Sequence, residues 1–316
     1  MMRLSSLLHS FLDKVYIGGK STGANLAAMN PVLQYSNTPL LQYPITPILQ
    51  LLVLILFLSS CSILEGPKEI SNPMDPNDPD FVTPTVTFLQ APVEGEIVDT
   101  SFVTFEWEGN QPSMNFSYKM DNNDWTEWST EKSVEFNYMD EGSHSFEIKS
   151  RYFNGVESDM PQRILFSIDD VQGPALMFFP RQNTIRSGTA FSVEILAEEV
   201  ENLAGAKVVV LFNASYLQVQ GITVYEDERS ILKTNGGTVI PFYEFDNSVG
   251  SLKIESGVAT GDPPGVDGTG AIASVMFQTI MSGTTEITFD LSSEMRTPNN
   301  ESILLSEMVE GVVIIE

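Results

Sequence analysis

Apolar and polar positions alternate along much of this chain. Val103, Phe105 and Trp107 alternate with Thr104 and Glu106; Phe146 and Ile148 alternate with Ser145, Glu147 and Lys149; Ile164, Phe166 and Ile168 are separated by Leu165 and Ser167. A period of two sends one set of side chains to a core and the other to water. Residues 84–170 are therefore predicted to form short antiparallel strands with one wet face per sheet. Beyond Gly173-Pro174 the same signal predicts strands at Ala175–Phe179, Phe191–Ala197, Ala206–Phe212, Leu217–Val224, Val239–Phe245, Ser251–Glu255, Ala271–Ile280, Glu286–Leu291 and Gly311–Glu316. So many strands in residues 173–316 predict a jelly roll or similar sandwich. The expected fold class is all-β, with two β-sandwich domains at 84–170 and 173–316, each folding on its own. Gly268 and Gly270 are predicted to sit in a turn, because no Lys-Ser/Thr and no helix follow them as in a phosphate loop.

One stretch breaks the alternation. Ile48 to Leu58 is apolar except for Gln50, and it ends in Leu58-Ser59-Ser60-Cys61, which holds the only cysteine. The run is shorter than the roughly 20 residues a bilayer span needs, and it suits the core of a secretory signal. Leu58-Ser59-Ser60-Cys61 resembles the lipobox of bacterial lipoproteins. That resemblance implies a diacylglyceryl group on Cys61, cleavage just before it, and a mature chain tethered by lipid outside the cytoplasm. Ser62 follows, where Asp in many Gram-negative lipoproteins causes retention at the inner membrane. The expected location is therefore the outer membrane or cell surface.

Residues 1–60 read as a low-complexity leader and signal peptide. Copies at Pro31, Pro39 and Pro47 repeat with a period of eight, and no Lys or Arg occurs from Ser21 to Ser60. Met29 is an alternative start. Residues 61–83 read as an acidic Pro/Asp-rich linker held extended by residues such as Pro73, Asp75, Pro76, Asp78, Pro79 and Asp80. Its carboxylates match no EF-hand pattern, since the positions for Gly and Glu hold Asp80 and Val86.

Charge then narrows the partners. Arg3, Asp13, Lys14 and Lys20 are the only charged residues of the first 60. Of the chain's 16 basic and 42 acidic residues, 13 and 41 therefore follow, a net charge of −28. Such a surface repels nucleic acid and anionic headgroups, leaving the lipid as the only expected link to a membrane.

Two further resemblances cover the folded part. Met139-Asp-Glu-Gly142-Ser-His144-Ser-Phe146-Glu-Ile148-Lys-Ser150 resembles the Leu-x-x-Gly-x-Tyr-x-Phe-x-Val-x-Ala stretch of fibronectin-type-III and related immunoglobulin-like domains. Phe116-Ser-Tyr118-Lys-Met-Asp121 with Trp125 and Trp128 resembles their bacterial versions. This implies an immunoglobulin-like fold for 84–170, with His144 in the place of the tyrosine-corner residue. Residues 173–316 resemble a cohesin domain, through Ser187-Gly188-Thr189, Val200-Glu-Asn202-Leu203-Ala-Gly205, Val208-Val-Val210-Leu-Phe212, Gly268-Thr-Gly270-Ala-Ile272-Ala273-Ser-Val275-Met-Phe277, and Glu310-Gly311-Val312-Val313-Ile314. Phe212-Asn213-Ala214 departs from the Tyr-Asp-Pro common in that family. The resemblance implies a jelly roll related to carbohydrate-binding modules. It also implies a sheet face that docks a dockerin, a Ca²⁺-binding helical module usually carried by polysaccharide-degrading enzymes.

The inventory for catalysis is poor, and the expectation is a non-enzyme. The two histidines are His9, in the leader, and His144; the single thiol is Cys61. A Ser-His-Asp triad or a zinc site would need more. No cofactor and no metal site are assigned, although abundant carboxylates could hold Ca²⁺. Cys61 is the expected lipidation site. Alternation places Val208, Val210 and Phe212 on one face and Lys207, Val209 and Leu211 on the other. Val209 and Leu211, flanked by Lys253 and Glu255, are the candidate partner-binding residues. The alternative functions are direct polysaccharide binding and a structural or adhesive surface spacer. All three tryptophans fall in the first domain, so Trp125 and Trp128 are the sugar-platform candidates.

Overall fold

The structure is a computed structural model that describes residues 71–259 and 265–316. Cys61, the apolar run before it and the leader lie outside the described residues. The first sandwich contains β1 Val86–Gln90, β2 Glu96–Val98, β3 Val103–Gly109, β4 Met114–Met120, β5 Ser133–Phe136, β6 Gly142–Tyr152 and β7 Gln162–Ile168. One sheet runs β1-β3-β5 and the other β2-β7-β6-β4. The predicted inward residues Val103, Phe105, Trp107, Phe146, Ile148, Phe166 and Ile168 are buried together, with Phe116 and Tyr152. Phe105 and Phe146 stack at 3.9 Å between ring centroids. Aromatic pairs of this kind add to the burial of their area.

The second sandwich begins with β8 Ala175–Phe179, β9 Gln182–Ile185, β10 Ala190–Leu203, β11 Gly205–Phe212 and β12 Leu217–Val224. It continues through β13 Val239–Asp246, β14 Ser251–Val258, β15 Val266–Thr279 and β16 Gly283–Phe289, then β17 Glu294–Arg296, β18 Ser302–Ile303, β19 Glu307–Val309 and β20 Gly311–Ile315. Its sheets run β12-β15-β10-β8-β19 and β13-β14-β11-β16-β20-β9, with β17 paired to β11 and β18 to β17. Val193, Ile195, Val208, Val210, Leu252, Ile254, Val275, Phe277, Ile287 and Val313 fill the space between the sheets. Every predicted strand is present. The short strands β9, β17, β18 and β19 carry too few alternating positions to be read in advance.

Gly268 and Gly270 correct the sequence reading. They lie inside β15, opposite Val200 and Ala197 in a stretch where the ladder with β10 is irregular. A Cβ on Gly270 would come within 2.9 Å of the Ile231 Cβ, so the glycine serves close packing of the turn Ile231–Lys233 against the strand.

The segment expected to stay extended is folded from Ser71 onward. Asn72-Pro73, Asp75-Pro76 and Asp78-Pro79 each open a turn, and the N–H groups of Asp75, Asp78 and Phe81 donate to the carbonyls of Asn72, Asp75 and Asp78. Asn or Asp at the first position and Pro at the second are what a type I turn prefers. Met74 and Phe81 then pack on the first core. Tyr152 Oη donates to the Val82 carbonyl at 2.7 Å, and Asn154 Nδ2 donates to that of Met74 at 2.8 Å. The first sandwich thus includes residues 71–83.

A buried polar junction joins the sandwiches. Arg181, only 6% exposed, donates through Nη1 to Asp170 Oδ2 at 3.0 Å, and its backbone N–H donates to Asp140 Oδ1 at 2.6 Å. Glu141 Oε1 accepts the N–H groups of Asp170 and Val171. Val171, Ala175, Met177 and Val309 form a small apolar cluster nearby. His144 lies near the start of β6, where its Nε2 is 2.8 Å from the Asp140 carbonyl and its Nδ1 is 2.8 Å from Asp121 Oδ2. A carbonyl can only accept, so Nε2 carries a proton. Burial pulls the imidazole pKa down, but the bonds to Asp121 and Asp140 outweigh it and raise the pKa overall.

The turn after β13 gives a direct test of the fold. Gly250 has φ +73°, and an added Cβ would lie 2.0 Å from the Phe212 carbonyl oxygen. Gly250→Ala should therefore cost at least about 2 kcal/mol, from left-handed backbone plus a collision with main chain. Chemical denaturation should show a lower midpoint with an unchanged slope; an unchanged midpoint would contradict this turn geometry.

Candidate docking face

The outward side of the β13-β14-β11 sheet is open. The ladder sets Phe242 beside Glu255, Glu255 beside Lys207, and Lys207 beside Glu294. The next row is Glu244, Lys253 and Val209, followed by Asp246, Ser251 and Leu211. Leu211, Val209, Lys253 and Glu255 thus share one face, in the expected register, while Val208, Val210 and Phe212 are buried beneath it. Leu211 is 40% exposed. Val209 is half-buried, because the turn Asp290–Ser293 bonds along its backbone: Asp290 N–H donates to the Val209 carbonyl, and Val209 N–H donates to Ser293 Oγ.

The larger apolar surface comes from β13, which the sequence reading left out of the site. Phe242 is 63% exposed and Ile240 is also exposed. A signal for it existed: Ile240, Phe242 and Glu244 share a period-two face, and Pro241 marks an edge strand because it cannot donate to a second neighbour. The order of strands, which brings β13 next to Lys253 and Glu255, could not be read from the chain.

Electrostatics on this face are mostly settled internally. Lys253 Nζ lies 2.9 Å from Glu244 and 3.6 Å from Glu255. The Glu244 carboxylate, with Glu255, holds the Lys253 pKa above its ordinary value. Arg296 pairs with Glu294. One row further along, Ile240, Gly257, Gly205 and Arg296 line up across four strands. With two glycines in the middle, this row leaves a groove of about 340 Å³ lined also by Phe242, Glu255 and Glu294.

Trp125 and Trp128 come together on the outer face of β4 and β6. Lys149 Nζ lies 4.8 Å from the Trp125 ring and 4.9 Å from the Trp128 ring. Lys119 Nζ is 5.3 Å from Trp125 and the Arg151 guanidinium is 4.3 Å from Trp128. The two rings therefore alternate with three cations. The Thr126 backbone and hydroxyl hold the loop to β4 through Ser117 and Tyr118. Ring faces covered by cations form a packing ladder rather than a free sugar platform. Trp107 is core. Among the described residues, no group of three or more His, Cys, Asp or Glu side chains could hold a metal ion.

No family model matches the chain, and no curated protein matches it. Among solved structures, a non-cellulosomal cohesin from Archaeoglobus fulgidus is 12% identical, with 43% of this chain and 86% of that one covered and a TM-score of 0.35. A type II cohesin domain from the cellulosome of Acetivibrio cellulolyticus is 13% identical, covering 44% and 92%, with a TM-score of 0.33. A type I cohesin–dockerin complex from Clostridium thermocellum, Coh-OlpC with Doc435, gives 12% identity, 47% and 97% coverage, and a TM-score of 0.37.

Proposed function

We propose that this chain is a non-catalytic, lipid-anchored extracytoplasmic binding protein whose second sandwich docks a dockerin-type partner. The observation that carries the reading is the open β13-β14-β11 face, on which Ile240, Phe242 and Leu211 expose apolar side chains. They form two groups, Ile240 with Phe242 and Val209 with Leu211, separated by Lys253 and its partners Glu244 and Glu255, and apolar anchors set among polar residues are what interfaces use. The cohesin-like sequence of residues 173–316 supports a dockerin as the occupant. Recombinant dockerin modules immobilised on a biosensor, with the purified full-length chain as analyte, test it. Saturable binding to at least one module supports the reading, and no binding to any module overturns it. Direct polysaccharide binding at Trp125 and Trp128 is disfavoured by the cations packed over both rings.

The anchor has its own test. Cys61→Ser should remove all palmitate labelling in a bacterial host and move the chain from the membrane fraction to the soluble fraction, since no other thiol exists. Labelling that persists in the serine variant would sink the lipoprotein assignment.

A further inference from the structure

The linker between the sandwiches is gripped by carboxylates from both sides. It spans residues 169–174, between the end of β7 and the start of β8. Glu141, in the turn before β6, accepts the N–H groups of Asp170 and Val171. Glu199 Oε2, from the second sandwich, accepts the Gly173 N–H at 3.1 Å. The ladder of β10 with β15 is irregular between Ala197 and Val200. Glu199 there has φ +47°, a left-handed backbone that crowds a β-carbon. A Cβ on Gly173 would collide with Glu199 and with the Glu198 carbonyl, so the linker lies directly on this irregular stretch. Glu198 itself is only 9% exposed. Its Oε1 accepts from Thr269 Oγ1 at 2.8 Å, but its Oε2 is buried without a hydrogen-bond partner. Buried polar atoms are almost always paired, so this exception asks for a reason.

We infer that Glu198 is a proton latch: a proton on its carboxyl closes the junction on the linker, and loss of that proton loosens it. The surroundings give a carboxylate little compensation. Glu141, Glu199 and Asp169 all act on it with the same sign of charge, and β8 sets only Ala175 opposite it. The cationic groups of the junction are engaged elsewhere, Arg181 with Asp170 and His144 with Asp121 and the Asp140 carbonyl. Burial raises the Glu198 pKa, the Thr269 bond lowers it, and repulsion from the three carboxylates raises it again, for a net rise. A carboxyl whose pKa is higher folded than unfolded adds stability in acid, and that stability is lost as pH rises through the folded value. Once ionised, Glu198 adds a charge beside Glu141 and Glu199, the two groups that hold the linker amides. The linker is therefore where deprotonation is felt first.

Hydrogen exchange on the purified full-length chain tests this at about pH 5 and about pH 8, with rates corrected for the intrinsic effect of pH. In the parent, the Val171 and Gly173 amides should lose about tenfold in protection at the higher pH, while the amide of Ile195 in the core keeps its own. Glu198→Gln carries no charge at either pH. It should keep the linker amides protected at both, and it should melt above the parent at the higher pH. Equal loss of protection in the two chains overturns the inference, and so does no loss in the parent. A variant that melts below the parent at both pH values overturns it too, since the carboxyl would then be needed in its ionised form. Calcium chloride added at the higher pH should change nothing. If calcium restores the parent's protection, a cation and not a proton closes the junction, and the latch as stated is wrong.

Discussion

Val210→Asp is expected to leave the second sandwich unfolded, while Leu211→Asp, one residue along the same strand, melts close to the parent. Val210 is 0% exposed and pairs with Leu252 and Phe289 between the two sheets. A carboxylate there meets only hydrocarbon. Whether it stays charged or takes up a proton, it is left without a hydrogen-bond partner, at a cost of at least about 4 kcal/mol. That approaches the whole stability of a typical domain. Leu211 points the other way, with Ser251 and Thr288 beside it in register, and at 40% exposure an aspartate there stays hydrated. The loss should stay within about 1 kcal/mol, the span of strand propensity. Binding is another matter, since on the proposed docking face a charge would have to be desolvated against the partner. Leu211→Asp should therefore lose dockerin capture while keeping its melt. Equal destabilisation by both variants, read by circular dichroism, would mean that the face is covered. Undiminished capture by Leu211→Asp would move the interaction surface elsewhere.

Arg181→Ala should cost about 3 kcal/mol, among the largest losses available outside the two cores. The guanidinium is nearly buried and reaches Asp170 at 3.0 Å, while the main chain at the same residue is held by Asp140. Removing the cation leaves the Asp170 carboxylate without its partner beside Asp140 and Glu141. Both of those already have raised pKa values, chiefly through burial. The double variant Arg181→Met with Asp170→Leu should recover most of the loss, because the penalty comes from the orphaned charge and not from missing volume. Thermal melts of the single and double variants decide between these accounts. A single variant as stable as the parent would show that the junction is held by the apolar contacts of Val171, Met177 and Val309 alone.

Much of the architecture was legible in the chain. Alternation at Val103, Phe105 and Trp107, or at Val208, Val210 and Phe212, tells which side chains point inward, because a strand's period of two depends only on its own backbone. The same logic identified Leu211 as outward. Local chemistry was ambiguous where one pattern serves two conformations. Asn-Pro and Asp-Pro at residues 72, 75 and 78 suit an extended spacer and a series of type I turns equally well. Burial of Met74 and Phe81 decides for turns, and only the folded sandwich supplies that burial. Trp125 and Trp128 were the candidates for the alternative sugar-binding reading, and only the pairing of β4 with β6 brings Lys119, Lys149 and Arg151 to their rings.

What the chain determined by itself is the all-β class, the longer strands, their inward and outward faces, and the single thiol. What only the tertiary structure decided is which strands are neighbours. That order sets β13 beside β14, brings Phe242 to Glu255, and pairs Gly205 with Gly257, residues more than fifty positions apart. A residue's direction follows from its local backbone, but a groove is a property of several strands at once. It exists only after the sheets have packed and chosen their register.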